Sequence, residues 1–196
     1  LPSAASSHVN NYERGILQQD DLQKYDIPLE QCVSDAEPPA TMVAPAGAVF
    51  GIVRGTVGTH SLRLQTVDQK ANGGATSVVC LTTVTLPPEY VDGETAQIVL
   101  NCSMVTTVAD TSAVCDVEAW TDDGDGTVTG DIASPAAQDM NADLNAAAYT
   151  FTLNPATLVK GMKIHLRFTI TINDAATGTA VIGQINRAYL QCDIKG

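Results

Sequence analysis

Residues Ile164-His165-Leu166-Arg167-Phe168-Thr169-Ile170-Thr171-Ile172 place an apolar side chain at every second position and a polar one between. Only an extended strand, whose side chains repeat with period two, keeps those apolar residues on one face; a helix would scatter them around its axis. The segment predicts a strand with one side on a core and His165 and Arg167 on the other. The same alternation recurs in Gln97–Met104, Val114–Trp120 and Ala188–Ile194. Ser77–Leu86 is almost continuously apolar or β-branched, which predicts deeper burial. Ala48–Arg54, Ser61–Val67 and Tyr149–Leu153 complete the strand-like series.

Turn-forming residues punctuate it: Asn72-Gly73-Gly74, Pro87-Pro88, Asp92-Gly93, Asp123-Gly124-Asp125-Gly126 and Asn173-Asp174. About eight short strands without a long amphipathic helix predict an all-β, antiparallel β-sandwich, of jelly-roll type. The alanine-rich segment Ala136–Ala148 reads as a short helix or, given its Asp and Asn content, as a loop. With 196 residues the chain suffices for one sizeable core and little more. Residues 1–45 are different: polar, with Pro2, Pro28, Pro38, Pro39 and Pro45, and with apolar spacing only around Ile16, Leu17 and Leu22. They read as an extended N-terminal arm with a short helical turn near Asp20–Tyr25, followed by a sandwich domain over 46–196. Such an arm either wraps its own sandwich or reaches a neighbouring subunit.

Charge is distributed unevenly along the chain. No lysine or arginine occurs between Lys70 and Lys160, yet that stretch holds 12 acids, which equals the whole net charge of −12; elsewhere ten acids face ten bases. A sequence pI near 4.3 argues against a nucleic-acid partner, because phosphate binding needs clustered Lys and Arg. There is no run of about 18 apolar residues for a membrane span. Nothing near Leu1 has the form of a signal peptide either, which predicts a soluble protein. Cys32, Cys80, Cys102, Cys115 and Cys192 are odd in number and widely spaced, unlike a disulfide framework or a zinc site. They read as free thiols of a protein made in a reducing cytoplasm, with Cys102 and Cys192 as small buried hydrophobes on the apolar parity of their strands.

Candidate chemistry is sparse. Of the histidines, His8 falls in the arm, His60 in a turn-like Gly55–His60 segment, and His165 on a polar strand face, so no catalytic relay is signalled. The run Thr121-Asp122-Asp123-Gly124-Asp125-Gly126-Thr127 is the sharpest local candidate. Asp122, Asp123 and Asp125 are weak metal-ligand candidates, since carboxylates between glycines can wrap Ca²⁺. The spacing is not that of an EF-hand, and Asp-Gly pairs equally serve a β-hairpin turn. Asn101-Cys102-Ser103 matches a glycosylation pattern but falls within a strand segment. Trp120, Tyr149 and Tyr189 would make a sugar-stacking platform if they shared a face. No catalytic residue and no cofactor is assigned.

Four segments carry a family resemblance: Leu86-Pro-Pro-Glu-Tyr-Val-Asp-Gly-Glu94, Met104-Val-Thr-Thr-Val-Ala-Asp-Thr-Ser112, Asn173-Asp-Ala-Ala-Thr-Gly-Thr-Ala-Val-Ile-Gly183 and Asp193-Ile-Lys-Gly196. Through them the chain, over about residues 55–196, resembles uncharacterised virion proteins of tailed phages of the capsid decoration, or cement, jelly-roll type. The resemblance implies a non-enzymatic structural protein on the capsid exterior, made in the host cytoplasm. Its implied partners are the major capsid protein or other virion subunits and two further copies of itself, with neither nucleic acid nor membrane. The alternative expectation is a carbohydrate- or receptor-binding sandwich module.

Overall fold

A computed structural model describes residues 22–56, 58–59, 61–70, 73–105, 107–122, 124–175 and 179–194. The eight expected strands all form, as β2 (Gly51–Arg54), β3 (Leu62–Gln65), β4 (Gly74–Thr85), β5 (Ala96–Met104), β6 (Ser112–Asp122), β9 (Ala147–Leu153), β10 (Lys163–Asp174) and β11 (Gly183–Cys192). Three short strands join them: β1 (Gln23–Ile27), β7 (Ala133–Ser134) and β8 (Gln138–Asp139).

Two antiparallel sheets result. Sheet A runs β2-β3-β11-β5-β9-β7, with β1 also paired to β11, and sheet B runs β4-β10-β6-β8. The pairings β3 with β11, β4 with β10, β5 with β9 and β6 with β8 nest like one long hairpin. Rolling that hairpin up adds β5 beside β11 and β6 beside β10. This is the jelly-roll strand order, so the expected fold class is found.

The core lies between the sheets and follows the alternation that defined the strands. From β10 it receives Ile164, Leu166, Phe168, Ile170 and Ile172, each exposed by 1% or less. They pack with Ile98, Leu100, Cys102 and Met104 of β5, Val117 and Ala119 of β6, and Phe151 and Leu153 of β9. Side chains of the intervening positions leave the sandwich on its two outer faces.

The described part of the N-terminal segment packs on this sandwich. Residues near Tyr25 form strand β1 and not the expected helical turn, because pairing with Ala188–Cys192 satisfies their backbone and turns Tyr25 and Ile27 to the core. A 3-10 turn follows at Leu29–Gln31. Val33 then exchanges two hydrogen bonds of 2.9 Å with Leu81, and Val79 donates to Ala48 at 3.2 Å, so the free edge of β4 is covered. Gly51 is required beside this path, since an added Cβ would come within 1.9 Å of the Pro45 nitrogen. Of the two readings of Ala136–Ala148 the helix does not form: the segment holds β8, turns and the start of β9. One further expectation is corrected, since Asn173-Asp174 continues β10 in place of a turn. There cross-strand pairing of Asn173 and Asp174 with Ala75 and Gly74 overrides local turn preference.

Candidate functional site

The acidic strand and the basic strand of the sequence become neighbours. Asp116, Glu118, Trp120 and Asp122 leave β6 on the outer face of sheet B, since Val117, Ala119 and Thr121 between them are buried. Across from them, in register, stand Thr169, Arg167, His165 and Lys163 of β10. Arg167 forms an ion pair with Glu118, and its guanidinium carbon lies 5.9 Å from the centre of the Trp120 ring. His165 Nε2 is 3.3 Å from Asp122 Oδ2. Asp116 is pushed above the usual carboxylate range, by partial burial first and then by the charges of Glu118 and Asp131. Its Oδ1 accepts from Val117 N at 2.8 Å.

Next to the row a groove of about 490 Å³ opens on the same face. Gln31 and Val33 of the N-terminal segment form one wall, Leu81 and Thr83 the floor, and Trp120 and His165 the opposite side. Segment and sheet meet there because Val33 is bridged to Leu81. The groove is mostly apolar, with hydrogen-bonding side chains at its margin.

The acidic turn between β6 and β7 is built from backbone capping. Asp122 Oδ1 accepts from Gly124 N at 2.7 Å, and Asp125 Oδ1 accepts from Thr127 N at 2.7 Å and from its hydroxyl at 2.6 Å. Gly124 and Gly126 take φ of 90° and 88°, values that favour glycine. Asp122 is held below the usual carboxylate range by the Gly124 N–H and then by His165. Asp123 lies outside the described residues, as do His8 and His60. Among the described residues no three His, Cys, Asp or Glu side chains converge to hold a metal ion. The two described ligand candidates thus act as turn caps.

The same chemistry recurs through the base-free stretch. Asp131 Oδ1 accepts from Ala119 N and Ala133 N at 2.9 and 3.0 Å, tying the loop back to β6. Asp92 accepts from Lys160 N at 2.6 Å and Asp139 from Asn141 N at 2.9 Å. Asp143 accepts from the Tyr149 hydroxyl, which burial and that carboxylate push well above its ordinary pKa. None of these roles was legible from acid abundance alone. For Asp131 with Ala133 and for Asp139 with Asn141 the signal is an Asp two positions before a turn N–H; the partners of Asp92 and Asp143 are not local in that sense.

The three aromatic candidates do not share a face. Trp120 is on the outer face of sheet B and Tyr149 faces the core. Tyr189 is on the outer face of sheet A beside Val99. There Lys24 Nζ and the Arg187 guanidinium lie 5.1 and 5.3 Å from the Tyr189 ring centre, and Arg187 pairs with Asp26 at 2.6 Å. A single platform of all three is excluded by strand parity. Asn101 of the glycosylation pattern sits in β5 between β11 and β9. No described helix is long and apolar enough to cross a membrane.

No family model and no curated protein matches this chain. Solved structures resemble it at the level of the fold. The CBM22-1 xylan-binding domain of Xyn10C from Paenibacillus barcinonensis is 12% identical with a TM-score of 0.40, covering 75% of this chain and 81% of that one. A cyclase from Fischerella sp. TAU is also 12% identical, with a TM-score of 0.40 and coverage of 92% and 94%. The infectious bursal disease virus Gx strain structure is 11% identical, with a TM-score of 0.33 and coverage of 75% and 38%. Such distant likenesses, spread over a binding domain, an enzyme and a virus, assign no role.

Proposed function

We propose that this chain is a non-enzymatic structural protein of a phage virion, a decoration protein that stabilises the capsid exterior. The observation that carries the structural reading is the use of its acids. Asp92, Asp122, Asp125, Asp131 and Asp139 cap backbone N–H groups, and Glu118 pairs with Arg167, so these carboxylates hold loops and strands in place. The family resemblance in four segments supplies the virion, the major capsid protein as partner, and the homotrimer. A decoration protein works by burying modest areas on several shell subunits at once, so that weak contacts act together.

Quantitative mass spectrometry of purified particles tests this. A copy number proportional to that of the shell subunit is expected. A few copies per particle would replace decoration with a tail role, and absence from particles would remove the virion altogether.

A second reading is a carbohydrate- or receptor-binding module, favoured by the groove beside Trp120. An indole face next to Gln31, Thr83 and His165 offers the stacking surface and hydrogen-bonding margin that a sugar uses. Glycan-array signals that vanish with Trp120→Ala would establish it, and a blank array would set it aside.

A further inference from the structure

Sheet A carries an opening of its own, separate from the groove beside Trp120. It has a volume of about 360 Å³, and Arg63 of β3 and Gln184 and Asn186 of β11 supply its polar wall. Arg63 leaves β3 outward, because Leu64 beside it is buried in the core. Gln184 and Asn186 leave β11 on either side of the buried Ile185. A β-bulge sets Asn186 there: the register steps from Ile185 opposite Cys102 to Arg187 opposite Asn101, so no β5 residue stands opposite Asn186. Both amides then converge on one hydroxyl, Gln184 Nε2 and Asn186 Nδ2 donating to Ser103 Oγ at 2.8 and 3.1 Å. Anchored through nitrogen, they keep their carbonyl oxygens as acceptors.

Arg63 is the unsatisfied member of this group. Its Nε is buried without a hydrogen-bond partner, and the ion pairs among the described residues do not include it. A buried charged donor left unpaired is costly, so its retention points to a partner from outside the chain. No acid lines the pocket, and Asp143, next to the lining residue Leu144, accepts from the Tyr149 hydroxyl.

We propose that this pocket binds an acidic sugar, with its carboxylate on the Arg63 guanidinium and its ring hydroxyls on the amide oxygens of Gln184 and Asn186. A guanidinium meets a carboxylate through two parallel N–H···O bonds, which gives the orphan Nε its acceptor. Sugar hydroxyls donate to the amide oxygens, and Val105 and Leu144, exposed by 37% and 53%, offer an apolar edge to the C–H face of the ring. A bare anion would use Arg63 but neither the amide oxygens nor that edge. The net charge of −12 opposes binding only weakly, because charges beyond about 8 Å are screened at physiological salt. The site is independent of the virion reading and of the Trp120 groove.

The ¹⁵N-labelled full chain, titrated with D-glucuronate, D-glucose or acetate and followed by NMR, tests this. D-Glucuronate should shift the Arg63 Nε–H and the Gln184 and Asn186 amide signals while the Trp120 indole N–H stays in place. It should bind about tenfold more tightly than D-glucose, which lacks the carboxylate, or acetate, which lacks the ring. Arg63→Gln should remove the preference over D-glucose, and Arg63→Lys, which keeps the charge and loses the fork, should remove most of it; both should keep a folded spectrum. Equal binding of D-glucuronate and D-glucose, or of D-glucuronate and acetate, would overturn the proposal. So would shifts confined to the Trp120 indole, no shift at all, or an undiminished preference in folded Arg63→Gln.

Discussion

The outer faces of the two sheets each carry one prominent aromatic residue, and they treat it in opposite ways. On sheet A, Tyr189 is 8% exposed, packed beside Val99 with Lys24 and Arg187 against its ring. On sheet B, Trp120 is half-buried at the margin of an open groove, with Arg167 as its cationic neighbour. On both sheets the arginine beside the ring also pairs with an acid, Arg187 with Asp26 and Arg167 with Glu118; the difference is that β1 brings Lys24 over Tyr189, whereas Trp120 borders an open groove. The jelly-roll also places the acid-bearing β6 against the base-bearing β10. A sequence that looks like two electrically different halves is interleaved in space.

Removing the two rings separates these environments. Tyr189→Ala is expected to cost about 3 kcal/mol, the loss of a buried aromatic together with its cation contacts. Trp120→Ala should cost less, about 2 kcal/mol, because part of its surface is already in water. Chemical denaturation of the two variants checks the order, and equal losses would erase the distinction between the faces. Arg167→Gln comes next. It leaves Glu118 beside Asp116 and Asp131 without its partner, and about 1 kcal/mol should be lost, less at high salt.

Asp116→Asn has the smallest effect and the opposite sign. A folded-state pKa raised above the unfolded value means that the group supports the fold when protonated and loses that support as pH rises through the folded value. The substitution should therefore stabilise the protein by about 0.5 kcal/mol at neutral pH, and the gain should fade below the carboxylate range. Thermal unfolding at pH 7 and pH 3.5 reads both signs.

The fold was legible in the sequence wherever alternation was strong. Ile164–Ile172 gave its strand, its buried face and the outward direction of His165 and Arg167, because period two fixes all three together. β1 was not legible: Gln23–Ile27 has no clear alternation, and its pairing partner is more than 150 positions away in β11. The same limit hid the site. The groove exists because Gln31 and Val33 are laid against Leu81 and Trp120, contacts that no local spacing announces. Asp122 and Asp125 stand out in the sequence both as metal-ligand candidates and as turn residues. Which use they serve depends on the hydrogen bonds they accept, which only the folded turn displays.

The use of the acids as backbone acceptors can be measured directly. Two variants carry substitutions at Asp92, Asp125, Asp131 and Asp139, all to Asn in one and all to Ala in the other. Asn keeps the side-chain carbonyl oxygen that accepts from the backbone and loses only the charge, whereas Ala loses both. Thermal and chemical unfolding, each with and without Ca²⁺, should show the Asn variant close to the native chain and the Ala variant weaker by about 4 kcal/mol, at roughly 1 kcal/mol per lost capping side chain. An Asn variant as unstable as the Ala variant, or a Ca²⁺-dependent stabilisation that the Asn variant loses, would mean that these residues are kept for their charge.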